Sequence, residues 1–138
     1  MRRGVLLAVA LLPLLPLLAW GEEPGCGDYL AALGVSAPGL QFDGCRLEEG
    51  GQLRQRVAEY SIPGRDARAL EARLEQRFGM QPLRFVCCGW EAPSVYAPHS
   101  AGRPYGYEIG MGSGETLEKD WTRIDRFHVR VTLFLEEP

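Results

Sequence analysis

Few of the marks of a recognisable chemistry are present in this chain. Its 4 cysteines never fall in Cys-x-x-Cys pairs, which removes the usual spacing of a structural zinc site and of a thioredoxin-like redox motif. The glycine-rich stretch Gly110-Met111-Gly112-Ser113-Gly114 lacks the Gly-Lys-Ser/Thr ending of a phosphate loop. Lys119 is the one lysine, and the arginines form no basic stripe, which excludes a nucleic-acid or anionic-membrane footprint. Nowhere does an apolar run reach the roughly 20 residues that span a bilayer. There is no internal repeat, low-complexity tract or linker. No cofactor and no metal is implied.

What is present begins with an export signal. Arg2 and Arg3 precede an apolar run from Val5 to Leu18, broken by Pro13 and Pro16, and Ala19-Trp20-Gly21 places small residues for cleavage before Glu22. Residues 1–21 are therefore expected to be a secretory signal peptide, and residues 22–138 a single domain with no membrane insertion after cleavage. Removing 21 of the 138 residues leaves 117, enough for one modest core. Without Arg2 and Arg3 the 15 basic residues fall to 13 against 18 acidic ones, so the mature domain is mildly acidic.

In an oxidising compartment an even cysteine count reads as disulfides, here among Cys26, Cys45, Cys87 and Cys88. A vicinal Cys87–Cys88 pair closes a strained eight-membered ring. Residues 83–90 moreover have the composition of a strand, in which neighbours point to opposite faces. The expectation is that Cys87 and Cys88 each meet one of Cys26 and Cys45, with the choice between them open.

Hydrophobic spacing predicts a short helix at residues 27–34, a hairpin of strands at 40–47 and 53–62 with Gly44 as a bulge, and a helix from Asp66, as N-cap, to Phe78. Further strands are expected at 83–90, apolar on both sides and hence central, at 105–111 and at 123–135. Residues 91–103 read as a loop, 112–115 as a mobile turn and 117–121 as a helical turn. The fold class is α+β: an antiparallel sheet of about five strands with two helices packed on one face, crosslinked by disulfides.

Three segments, Cys26-Gly27-Asp28-Tyr29-Leu30-Ala31-Ala32-Leu33-Gly34, Phe42-Asp43-Gly44-Cys45 and Leu83-Arg84-Phe85-Val86-Cys87-Cys88-Gly89-Trp90-Glu91, resemble a family of small exported bacterial proteins classed as a domain of unknown function. The resemblance implies a periplasmic or secreted location and carries over no active site. By analogy with other small periplasmic domains it points to an immunity protein.

Candidate contacts for a partner come from two features. Residues 112–115 are similar, over the Ser-Gly element, to the inhibitory loop of periplasmic C-type lysozyme inhibitors. The aromatic-rich stretch around them supplies the side chains that commonly anchor interfaces. The partner-binding set is Tyr96, His99, Tyr105, Tyr107, Met111, Ser113, Glu115 and Trp121. Catalytic readings are thinner: His128 as a base would need a carboxylate such as Glu108 on a paired strand, and Glu91 lacks a second placed carboxylate. The sequence thus favours a non-enzymatic binding or inhibitor protein whose partner is another protein, a secreted toxin or an envelope enzyme. The alternatives are a structural envelope protein and a small hydrolase or thiol oxidoreductase.

Overall fold

The structure, a computed structural model, describes residues 22–100 and 104–136; the expected signal peptide lies outside the described residues. Its centre is the strand with the strictest alternation in the sequence. In Arg126–Phe134, Phe127, Val129, Val131 and Leu133 are buried while His128 and Arg130 are exposed, as a strand with one face on a core requires. Among the described residues seven strands make one sheet: β1 (Gln41–Glu48), β2 (Gln55–Pro63), β3 (Arg84–Val86), β4 (Gly89–Glu91), β5 (Val95–Ala97), β6 (Tyr107–Gly112) and β7 (Arg126–Phe134). Their order is β1-β2-β7-β6-β4-β3, with β5 also on β6. Every pairing between them is antiparallel.

The expected hairpin of β1 and β2 forms, and its register slips between Phe42 and Gly44, so that Asp43 is the extra residue of a bulge at the expected place. Opposite β7, Ala58, Tyr60 and Ile62 of β2 face Val131, Val129 and Phe127. On the other side Ile109 and Met111 of β6 face Val131 and Val129. These side chains form the floor of the core.

Helix α1 (Tyr29–Ala32) and helix α2 (Gly64–Phe78) close the core from one side, with a single 3-10 turn at Trp121–Arg123. Ala67, Leu70 and Leu74 lie on the buried stripe of α2. Gly79, in the left-handed region at φ 72°, ends the helix as its C-cap. Asp66, however, is not the N-cap. The helix starts two residues earlier, after Pro63, and Asp66 lies in its first turn, where a carboxylate favours the helix dipole. The early start is possible because residue 64 is glycine. An added Cβ there would collide with the carbonyl oxygens of Trp121 and Ile124, so the backbone of the 3-10 turn sits directly on the helix end.

A polar knot, buried at Leu30 and Tyr60 and open to solvent at Asp28, ties α1 to the sheet. Tyr60 donates its hydroxyl to Asp28 Oδ1 at 2.9 Å and accepts from the Leu30 amide at 3.0 Å. Asp28 also accepts from the Ala31 amide and so caps α1. Burial pushes the Tyr60 phenol above its ordinary pKa range.

Two differences raise the strand count from about five to seven. The expected strand at 83–90 is two strands, β3 and β4, joined at Cys87 and Cys88. It lies at the rim of the sheet, and β3 is the outermost strand. Cys87 adopts φ 54°, a left-handed conformation that suits a tight hairpin turn and not a continuous strand. The run is apolar because Phe85 and Trp90, opposite each other across the hairpin, pack edge to face, whereas Val86 is 51% exposed. The second difference is β5, inside the expected loop 91–103, which pairs Tyr96 with Glu108 of β6. The 3-10 turn at Trp121–Arg123 lies just beyond the helical turn expected at 117–121.

Candidate functional site

Both helices pack on one face of the sheet, so among the described residues the other face carries no helix. Residues of β1, β2, β7 and β6 alternate onto that open face in register. Arg46 stands opposite Val57, Glu59 opposite Arg130, Ser61 opposite His128, and Gly110 and Gly112 opposite Arg130 and His128. The two glycines bring no side chain. A groove of about 430 Å3 results, bordered by Asp43 and Glu59 on one side and by Gly110, Gly112 and Gly114 on the other, with His128 and Arg130 along it.

Charges beside the groove form a mesh. Arg46 meets Glu48 at 2.7 Å and Glu59 at 2.9 Å, and Arg130 meets Glu48 at 2.9 Å and Glu59 at 3.9 Å. Gln55 adds a hydrogen bond to Glu48 at 2.9 Å. That amide first, and then the two guanidinium groups, hold the Glu48 carboxyl below the usual carboxylate range. At the other end Arg126 donates to Ser61 Oγ at 3.0 Å, and Ser61 donates to Asp43 Oδ1 at 3.1 Å. Each exposed pair alone adds little stability, roughly 0–1 kcal/mol. Shared between four side chains, the pairs fix where the charges stand.

The segment 112–115 is not the mobile turn expected of it. The Ser113 amide donates to the Trp90 carbonyl at 3.0 Å, and the Ser113 hydroxyl accepts from the Trp90 amide at 2.8 Å while donating to the Gly114 carbonyl at 2.8 Å. The Thr116 amide donates to the Cys88 carbonyl at 2.7 Å. Gly89 lies so close to the segment that an added Cβ would stand 2.5 Å from the Gly114 oxygen. Residues 112–115 are therefore a ridge laid along β4. The open-face groove runs on one side of the ridge, and a second hollow of about 360 Å3, lined by Val86, Cys87, Cys88, Trp90 and Glu115, lies on the other.

The expected partner-binding residues separate. Tyr96, His99 and Glu115 are exposed, and Tyr96 stands on the open face with its ring 6.1 Å from that of Phe134. Tyr105 and Tyr107 are half-buried against the core, Tyr107 edge-on to Tyr29 at 5.6 Å. Met111, Ser113 and Trp121 are buried and not available to a partner. Met111 points into the core from β6. Ser113 spends its hydroxyl on the ridge. Trp121 is stacked by the Arg68 guanidinium at 3.4 Å and flanked by Phe127 and Trp90. The idea of a His128–Glu108 pair fails on register, because Gly112 faces His128 and Glu108 faces Thr132. Four residues of strand, about 13 Å, separate the two positions. Among the described residues no group of three or more His, Cys, Asp and Glu side chains is placed to hold a metal ion.

The cysteines pair otherwise than expected. Cys26 joins Cys45, with Cα atoms 5.5 Å apart, and Cys87 joins its neighbour Cys88. The expectation of cross-pairing rested on a continuous strand at 83–90; a hairpin turn there places neighbouring side chains together instead. The first bridge ties the segment before α1 to β1, and the Cys45 sulfur lies 3.8 Å from the Tyr29 hydroxyl. The second caps the β3–β4 turn.

The pattern that carries these features has a counterpart. Residues 19–90 match the model of a domain of unknown function, DUF4952. The chain belongs to this family. No curated protein and no solved structure matches it. The DUF4952 match takes in α1, the β1–β2 hairpin, α2, all four cysteines and β4 as far as Trp90. β6 and β7, which supply Gly110, Gly112, His128 and Arg130 to the groove, lie beyond the matched residues. Sequence reasoning missed the acidic side of the groove, Asp43, Glu48 and Glu59. The signal available was the spacing of Arg46 and Glu48 two positions apart in one strand and of glycine at alternate positions 110, 112 and 114.

Proposed function

We propose that this DUF4952 protein is an exported binding protein that acts in the periplasm by occlusion: it covers a protein partner, in the manner of an immunity protein neutralising a secreted antibacterial toxin. The observation that carries the reading is the open face of the sheet, where a groove and a fixed mesh of alternating charge stand ready without a covering helix. A surface whose side chains are already held in place loses little conformational entropy on association. An acidic domain carrying such a surface is steered towards a basic partner, and the alternating charges set the register of docking. The crosslinked framework supports the same reading, since export to an oxidising compartment is what preserves disulfides.

The test is calorimetric titration of the mature protein against the secreted proteins encoded beside its gene. The expected result is one tight complex. Reversal of two open-face charges, Glu59→Arg with Arg130→Glu, weakens that complex by at least about tenfold. Arg73→Glu on the solvent side of α2 leaves it unchanged. Absence of any complex with those proteins, or a complex indifferent to the open-face reversals, overturns the proposal.

A further inference from the structure

A disulfide between Cys87 and Cys88 needs a different explanation from the one between Cys26 and Cys45. The Cys26–Cys45 bridge spans 19 positions and joins separate elements, whereas the Cys87–Cys88 bridge spans 1 and joins nothing that the peptide bond does not already join. A crosslink stabilises a fold chiefly by shortening the loops open to the unfolded chain. By that measure the vicinal bridge has no structural task. It does hold a conformation: the eight-membered ring confines the peptide between the two residues, and Cys87 sits at φ 54°, a region that side chains other than glycine rarely adopt.

Its placement is that of a reactive group. Both cysteines are exposed at the tip of an edge hairpin. Beside them lies the hollow of about 360 Å3, with apolar Val86 and Trp90 at its wall and Gly114 and Glu115 of the ridge opposite. Thiol–disulfide exchange requires a thiolate to reach a sulfur, and its rate follows access. The other bridge is open at one end only: Cys26 is exposed, but Cys45 is half-buried, packed against the core beside Tyr29.

We propose that Cys87–Cys88 is a thiol–disulfide exchange site that takes a dithiol reductant, and that it opens while Cys26–Cys45 stays closed. The attacking thiolate forms a mixed disulfide with one of the two sulfurs as the Cys87–Cys88 bond breaks, and the other sulfur leaves as a thiolate. The second thiolate of the dithiol then displaces the bound sulfur. The dithiol ends as a disulfide, oxidised by two electrons, and Cys87 and Cys88 end as thiols after taking up the two protons the dithiol gave up. Ring opening frees the turn that forms one wall of the hollow, so the state of the pair sets the shape of that wall. The site lies across the ridge from the open-face groove, and Gly112 and Gly114 border both.

The experiment titrates the folded, oxidised mature protein with dithiothreitol, quenches with N-ethylmaleimide and maps the labelled peptides. The expected result is two labels on the Cys87–Cys88 peptide at dithiothreitol concentrations at least about tenfold below those that label Cys26 and Cys45. Circular dichroism stays unchanged through the first step. The Cys87→Ser/Cys88→Ser variant, retaining the Cys26–Cys45 bridge, takes up no label in that window. Simultaneous opening of both bridges, prior opening of Cys26–Cys45, or labelling of Cys87 and Cys88 only once the domain unfolds in urea each overturns the proposal.

Discussion

Removing the two disulfides one at a time is expected to have very unequal effects on stability. The Cys26–Cys45 bridge closes a loop across 19 positions, for which the chain-entropy relation gives about 3 kcal/mol. That is between a fifth and three fifths of the total stability of a domain of this size, about 5–15 kcal/mol, so the Cys26→Ser/Cys45→Ser protein should still fold but much less stably. Cys87 and Cys88 are neighbours in the unfolded chain as well as in the folded one, so no loop entropy is recovered. Cys87→Ser/Cys88→Ser at an exposed turn should therefore change stability by no more than about 0.5 kcal/mol. In urea, with an m-value of about 2 kcal/mol per molar, the midpoint falls by about 1.5 M for the first double variant and by less than about 0.3 M for the second. Far-ultraviolet circular dichroism of the mature domain, followed through the transition, measures both. Equal losses for the two variants, or a larger loss for the vicinal pair, would refute the assignment of structural work to Cys26–Cys45 alone.

Other perturbations test the packing and the electrostatics. Tyr60→Phe leaves the buried Leu30 amide without its acceptor and removes the hydroxyl donated to the exposed Asp28 carboxylate; it should lower stability by about 1–3 kcal/mol, read as a drop of several degrees in the calorimetric melting temperature. Gly64→Ala places a methyl group against the Trp121 and Ile124 carbonyls. It should destabilise by about 1–3 kcal/mol, as overpacking does, where alanine in an open helix position would stabilise; a urea midpoint at or above wild type would contradict the close approach. Glu48, with its pKa depressed by Gln55, Arg46 and Arg130, contributes stability that is full above the unfolded carboxyl value of about 4.3 and is lost as the pH falls through its lower folded value. Glu48→Gln should accordingly show a smaller fall in stability between pH 6 and pH 3 than wild type; an unchanged acid limb in thermal melts at those pH values would argue against the mesh.

The parts of this fold that were legible in the sequence are those whose burial repeats with a clean period. Phe127, Val129, Val131 and Leu133 alternate, Ala67, Leu70 and Leu74 fall on one helical stripe, and strand β7 and helix α2 formed around those residues, β7 starting at Arg126 and not at 123, and α2 at Gly64 and not after Asp66. The bulge beside Gly44 was legible because glycine marks a break in strand geometry. The turn at Cys87 was not, because neither of its two central residues is glycine, asparagine or aspartate, and Gly89 follows only after them. A disulfide to the next residue accompanies the left-handed backbone that those residues usually supply. Strand β5, three residues flanked by Pro93 and Pro98, is too short to show a period. The candidate site suffered in the same way. The residues chosen for aromatic content, Tyr107 and Trp121, turned inward because ring area is what a small core uses. The groove depends on cross-strand register between distant segments, which opposes Gly110 and Gly112 to Arg130 and His128; nothing local to either segment carries that information.

The two rims of the sheet bear on how these molecules behave when concentrated. An uncovered rim invites a strand from another chain, the first step towards fibres. Strand β1 meets that hazard with a kinked backbone at Asp43 and with the charges of Arg46 and Glu48, and β3, at the opposite rim, offers only three residues before its sulfur-closed tip. Neither border gives a newcomer a long straight ladder to extend, which works against strand-by-strand growth.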